Sequence, residues 1–334
     1  MKEALLLTRL LADPSRTGEV GDWTALLCTA RAESLLGSLA FHLEGADVPA
    51  EVAAILEDAR RDSAFARTQA LWEAQMAQRA LASVDVPLIL LKGTAYAAAD
   101  LPAAVGRSIG DLDILVPHAR LPEAEAALLA AGWEWVKEDA YDDLYYRTWM
   151  HELPPLIHRE RDRMIDVHHT ILPFTARPTP DAAALVEDSV ELADGMRILC
   201  PEDMIVHAAA HLFADGDLAG GLRNLWDIDR LLRHFAAAPD FWDRLARRAW
   251  RHRLLPHVTR ALRLAARLYK TPVDPAIAGR FRMADRLYVR RLLARDGWGR
   301  ERRPVTRLAF YVRSHALRMP PLMLAKHLWT KARR

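Results

Sequence analysis

Residues 86–116, VPLILLKGTAYAAADLPAAVGRSIGDLDILV, decide the fold. The first part, VPLILLKG (86–93), is apolar except near its end, begins beside Pro87 and stops at Gly93, which is how a buried strand reads. TAYAAADL then predicts a short helix, GRSIG a turn, and DLDILV a second strand whose alternation runs to Pro117. Asp111 and Asp113 stand two apart on that strand, so both side chains leave the same face and their carboxylates can converge. Two adjacent anions repel, and a cation between them relieves the repulsion. Mg²⁺ suits the position, because it takes oxygen ligands and shares its remaining places with water and substrate phosphates.

Downstream, Leu121–Ala131 predicts a helix closed by Gly132. WEWVKE (133–138), LYYRTWMHEL (144–153) and RMIDVHHTIL (163–172) have the aromatic and β-branched character of further strands. Asp166 lies in the last of these, where an unpaired buried carboxylate is costly, so it is the candidate third ligand on a neighbouring strand. Upstream, Trp23–Glu44 and Ala50–Ser83 carry apolar residues at helical spacing. After Pro180 the pattern is helical almost to the end, most clearly in DMIVHAAAHLFA (203–214) and LRNLWDIDRLLRHFA (222–236). The expected organisation is an α/β (α+β) core with a small mixed sheet at 84–175. A helical region (1–83) precedes it, and a helical domain with a basic tail (176–334) follows.

An isolated Asp-x-Asp is read first as a turn cap after Gly110 followed by a solvated strand residue. The metal reading gains from conjunction: LLKGT, a short helix, GRSIGDLDILV and MIDVHH follow in one order. On these motifs the stretch from Leu90 to about Thr170 resembles the DNA polymerase β-like nucleotidyltransferase superfamily. More narrowly it is similar to a largely uncharacterised bacterial family with an LKG segment, R-x-x-GDxDxLV and a later IDxH. The abortive-infection nucleotidyltransferase toxins share a similar layout. The resemblance implies a core that binds an NTP and transfers its NMP group with two Mg²⁺ ions, or Mn²⁺ in their place. Asp111 and Asp113 would be the paired metal ligands, and Asp166 the third carboxylate, which helps activate the acceptor. Where the superfamily has Gly-Ser, this chain has Lys92-Gly93-Thr94. Thr94 would stand for the serine, Gly93 would let the backbone approach a phosphate, and Lys92 would pair with the triphosphate or simply reach solvent. Arg107 and Ser108 would contact phosphate, brace the carboxylates or form only a turn. His168, on the face of Asp166, would orient it, touch substrate or pack.

Other constellations are weaker. His207 and His211 stand four apart on a predicted helix, as a zinc site requires, but no third ligand is evident, and packing between helix and sheet is the better reading. Asp227 and Asp229 cannot chelate as a pair from a helix, whereas Arg223, Asn224 and Asp227 could line the cleft or form a salt bridge. From Glu301 to Arg334 one acidic residue faces nine Lys or Arg, interleaved with Phe310, Tyr311, Leu322, Met323, Leu324 and Trp329. This tail could grip an anionic partner such as RNA, a leader peptide or a membrane surface, or be the solvated face of a docked helix.

Over the 334 residues, 46 Lys and Arg nearly balance 44 Asp and Glu, which argues against non-specific binding to nucleic acid or membrane. Cys28 and Cys200 offer no disulfide framework and fit a reducing compartment. The start, MKEALLLTRLLADP, has no cleavage site, and no stretch approaches a transmembrane segment, so a cytoplasmic protein is expected. The acceptor is open between a small molecule, a peptide or protein hydroxyl and an RNA end, with the resemblance pointing to a biosynthetic setting. The alternatives are a toxin-like transferase acting on tRNA and an inactive partner-binding scaffold.

Overall fold

The computed structural model describes residues 1–137, 139–320, 324 and 329. At its centre is a seven-stranded mixed sheet of β1 (Ile89–Leu90), β2 (Leu112–Leu115), β3 (Trp133–Trp135), β4 (Leu156–His158), β5 (Met164–His168), β6 (Val190–Glu191) and β7 (Arg197–Ile198). Their spatial order is β3-β4-β5-β2-β1-β7-β6. The β2–β5 and β1–β7 pairs are parallel and the others antiparallel. β2 lies near the middle and is buried along its whole length, and this burial is what places Asp113 inside the protein.

The strand expected at VPLILLKG is short because Lys92 takes a left-handed φ of 49° and the chain turns at once into the helix Lys92–Ala98. The helix after β2 runs Leu121–Ala130, and the following Gly132 has φ 102°. A Cβ there would stand 2.9 Å from His158 Nε2, so both the conformation and the close approach require glycine.

Two expectations are corrected. Most of LYYRTWMHEL is helical, within Ala140–Trp149. Its aromatic residues and charges serve helical spacing: Tyr145 and Trp149 make an edge contact at 5.7 Å, and Arg147 Nε bonds Asp143 at 2.7 Å. Only the end of that segment joins the sheet, where Glu152 bridges to His168. The sheet also does not end near residue 175, since β6 and β7 come from the region read as a helical domain and β7 pairs with β1. Two-residue strands carry no periodicity by which to be recognised.

Helices surround this sheet. The long helix Ala50–Ala82 packs on Leu36–His42, Lys92–Ala98 and Leu121–Ala130 and touches β2. Pro201–Ala210, Gly221–Phe235, Phe241–Arg251 and Leu255–Tyr269 pack together, and the first helix, Lys2–Ala12, lies against Leu255–Tyr269. One apolar core therefore runs from Leu7 and Leu10 through Leu39, Leu56 and Ile114 to Trp226 and Phe241. Each such side chain contributes about 1.5–3 kcal/mol on burial. Among the described residues no helix is long and apolar enough to cross a membrane.

Candidate active site

The parallel register of β2 on β5 sets Asp113 directly beside Asp166, and Asp111 occupies the bend just ahead of β2. Asp111, Asp113 and Asp166 each bring a carboxylate oxygen within 4.8 Å of the other two. Asp111 is exposed, Asp166 half-buried and Asp113 buried, so the group grades from solvent into the core. Asp113 Oδ1 accepts from Lys92 Nζ at 2.6 Å and from His168 Nε2 at 3.0 Å. Burial alone would raise the pKa of Asp113, but the Lys92 charge and the His168 hydrogen bond outweigh it and hold the carboxyl far below the usual range. Burial disfavours the Lys92 ammonium, yet the Asp113 charge keeps its pKa above the ordinary value. Asp166 behaves oppositely: burial, and then the Asp113 charge, push its pKa up. This is the electrostatic signature of a carboxylate cluster whose negative charge its own cations do not fully neutralise.

These observations meet the needs of a hard divalent cation. Three carboxylates supply oxygen ligands, two donors on one oxygen of Asp113 fix its orientation, and an exposed Asp111 gives access from solvent.

Sequence reasoning missed two neighbours, His151 and Glu152, because their partners come from β5 and not from their own segment. An acid next to a histidine is no signal by itself. Glu152 Oε2 stands 3.3 Å from His168 Nδ1 and 3.8 Å from His151 Nε2. Burial, only partly offset by His168, raises the Glu152 pKa to about 7. Burial drives His151 and His207 well below the usual imidazole pKa, with Lys92 adding to each. His151 and His207 are therefore neutral imidazoles near the Lys92 ammonium.

The remaining candidates divide. Lys92 does not reach into solvent as a free lysine but pairs with Asp113. Gly93 faces side chains where a phosphate approach was expected: a Cβ there would lie 2.5 Å from Arg107 Nε. Thr94 is buried in the helix. Arg107 pairs with Asp227 and not with the carboxylate cluster, and Arg223 bonds the same Asp227 through Nε at 3.0 Å. Arg223 also donates to Ser38 Oγ at 2.7 Å. Arg107, Asp227 and Arg223 thus tie the turn before β2 to the helix Gly221–Phe235, while Asn224 is half-buried. Ser108 is exposed and lines a groove with Ser34 and Asp62. Asp229 is separately engaged by Arg230, Arg233 and Thr271, as expected of aspartates two apart on a helix. His207 and His211 join no metal-ligating group of three among the described residues.

In the tail, the helix Pro304–Arg318 docks through Arg313, which donates to the Phe213 carbonyl at 2.7 Å, and Arg318, which pairs with Asp215 at 3.0 Å. Leu322 and Met323, with most of the segment beyond Pro320, lie outside the described residues.

The family described as "Uncharacterised nucleotidyltransferase" matches the chain over residues 19–270, a span that holds the sheet, the three aspartates and the helices that buttress them. No curated protein sequence matches the chain significantly.

Proposed function

The chain belongs to the uncharacterised nucleotidyltransferase family, and from that premise we propose that it moves an NMP group from an NTP to a hydroxyl acceptor, with Mg²⁺ held by Asp111, Asp113 and Asp166. The observation that carries this reading is the register of β2 on β5, which gathers the three carboxylates within 4.8 Å. Bound there, the ion supplies charge neutralisation for the triphosphate and for the departing pyrophosphate. Lys92 and His168 both hold Oδ1 of Asp113, which leaves its second oxygen free for a ligand role. Asp166 would help draw off the acceptor's proton as the new O–Pα bond forms and the Pα–O bond to pyrophosphate breaks. Arg107, Asp227 and Arg223 act at one remove, by fixing the turn that carries Asp111. The acceptor in this reading is a hydroxyl of a small molecule or peptide. Among the described residues of the tail, Arg307, Arg313 and Arg318 are engaged within the chain.

Calorimetric titration with each NTP, with and without Mg²⁺, tests the reading on wild type and Asp111→Ala, a substitution at an exposed position. Binding that needs Mg²⁺ and weakens about tenfold or more in the variant is the expected result. Equal, weak, metal-independent binding by both would overturn it and leave a partner-binding scaffold as the better account.

A further inference from the structure

Next to the aspartates lies a second set of ligating atoms that nucleotidyl transfer does not use. His151, Glu152 and His168 each bring a ligand atom within 4.8 Å of the other two. Their backbone placement is firm: His169 N donates to His151 O and Leu153 N to Val167 O, both at 2.9 Å, so residues 151–153 run antiparallel along the end of β5. The His151 and His168 rings face each other with centroids 5.2 Å apart and planes 32° from parallel. In a tetrahedral site with metal–ligand bonds of about 2.0–2.1 Å, ligand atoms stand about 3.3 Å apart. The separation between Glu152 Oε2 and His168 Nδ1 is already 3.3 Å, and that between Glu152 Oε2 and His151 Nε2 is 3.8 Å. Small side-chain shifts would close the second edge.

An independent observation concerns burial. His168 is 2% and His151 8% exposed, and Nδ1 of each is buried without a hydrogen-bond partner. A buried polar atom left unsatisfied costs about 1–3 kcal/mol. His168 Nε2 is committed to Asp113 Oδ1 at 3.0 Å. When Nε2 carries the proton and donates it to Asp113, Nδ1 presents a lone pair toward the Glu152 carboxyl 3.3 Å away, and a proton or a cation must lie between them. A carboxylate holding the far nitrogen of an imidazole is the usual support for a histidine that binds metal.

We propose that His151, Glu152 and His168 form a second cation site, distinct from the three aspartates and selective for a borderline divalent transition ion such as Zn²⁺. Two nitrogens and one oxygen suit such an ion, whereas Mg²⁺ takes oxygen alone. His168 then links the two sites, with one ring nitrogen on the transition ion and the other on Asp113.

Co²⁺, a coloured stand-in for Zn²⁺, tests the site in the full-length protein carrying Asp111→Asn and Asp166→Asn, stripped with chelator so that the aspartate site cannot compete. The expected result is one bound equivalent with the intense visible bands of four- or five-coordinate Co²⁺. Adding His151→Gln, or separately Glu152→Gln, should weaken it about tenfold or more with far-UV circular dichroism unchanged. Cu²⁺ bound to the chain without these last two changes should show nitrogen splitting in its electron paramagnetic resonance spectrum, a readout that does not depend on how the variants fold. Absence of a bound equivalent, absence of nitrogen splitting, or unchanged affinity in both variants would overturn the proposal. None of these readouts involves NTP, so failure of the nucleotidyl-transfer reading would leave them untouched.

Discussion

Lys92 sits at the one point where strand, helix and acidic cluster meet. Its left-handed backbone turns the chain from β1 into Lys92–Ala98, and its ammonium reaches Asp113 Oδ1 at 2.6 Å. Replacing it by methionine leaves Asp113 buried with Asp166 beside it and one fewer counter-charge. Breaking a fully buried pair costs about 3–5 kcal/mol; because 26% of the Lys92 side chain sees solvent, Lys92→Met should cost about 2–4 kcal/mol. Denaturant unfolding measures this directly, and Mg²⁺ should recover more of the loss in Lys92→Met than it adds to wild type. Equal Mg²⁺ effects in the two proteins would detach Lys92 from the cation site. At this scale the sequence was informative about the aspartates, because a two-residue spacing on a strand fixes a shared face. It was uninformative about Lys92, whose partner depends on a turn that no local pattern specifies. Glu152 was invisible for a similar reason, since its neighbours come from β5 and not from its own segment.

Elements explain why Gly93 and Asp227 matter although neither touches the three carboxylates. The side chain of Arg107 crosses over Gly93 to reach Asp227, binding the turn before β2 to Gly221–Phe235. In Gly93→Ala the new methyl would collide with Arg107 Nε at 2.5 Å, and a cost of about 1–3 kcal/mol is expected from the forced shift. Asp227→Asn should be worse, about 3–5 kcal/mol, because it leaves Arg107 and Arg223 sharing a buried site without their common anion. Thermal unfolding of the two variants ranks them, and the opposite order would mean that packing outweighs charge at this junction. Helices with amphipathic spacing were legible, and so was the strand–helix–turn–strand order from 86 to 116. The segment 144–153 was not, because tyrosine and tryptophan favour strands in general yet here pair one helical turn apart, as Tyr145 and Trp149 do.

Across the whole molecule, stability should carry a pH signature from His257. Burial, and then the charges of Arg260 and Arg313, lower its pKa to about 4 from an ordinary 6.5. Because the folded value is the lower one, the unfolded chain takes up the proton first as pH falls. The stability contributed by the neutral ring is therefore complete above about pH 6.5 and lost on acidification toward pH 4, with a slope of at most about 1.4 kcal/mol per pH unit. His257→Gln should flatten that part of the curve, as urea titrations at pH 5, 6 and 7 would show; a slope unchanged by the substitution would mean that the ring is not protonated on unfolding in this range. The α/β class was readable from the sequence, but the way helices from the two ends of the chain share one core was not, since periodicity names a buried face without naming what buries it.

That shared core constrains the order in which the protein can be made. The first helix, Lys2–Ala12, finds Trp23–Ala32 and Leu36–His42 soon after they emerge, but a further neighbour, Leu255–Tyr269, is more than two hundred residues away. At about 5–20 residues per second, a ribosome needs on the order of ten to fifty seconds to supply that partner. Throughout that interval leucines destined for the interior stand partly uncovered, so the nascent chain is a natural client for a holding chaperone, and translation speed becomes a determinant of its yield.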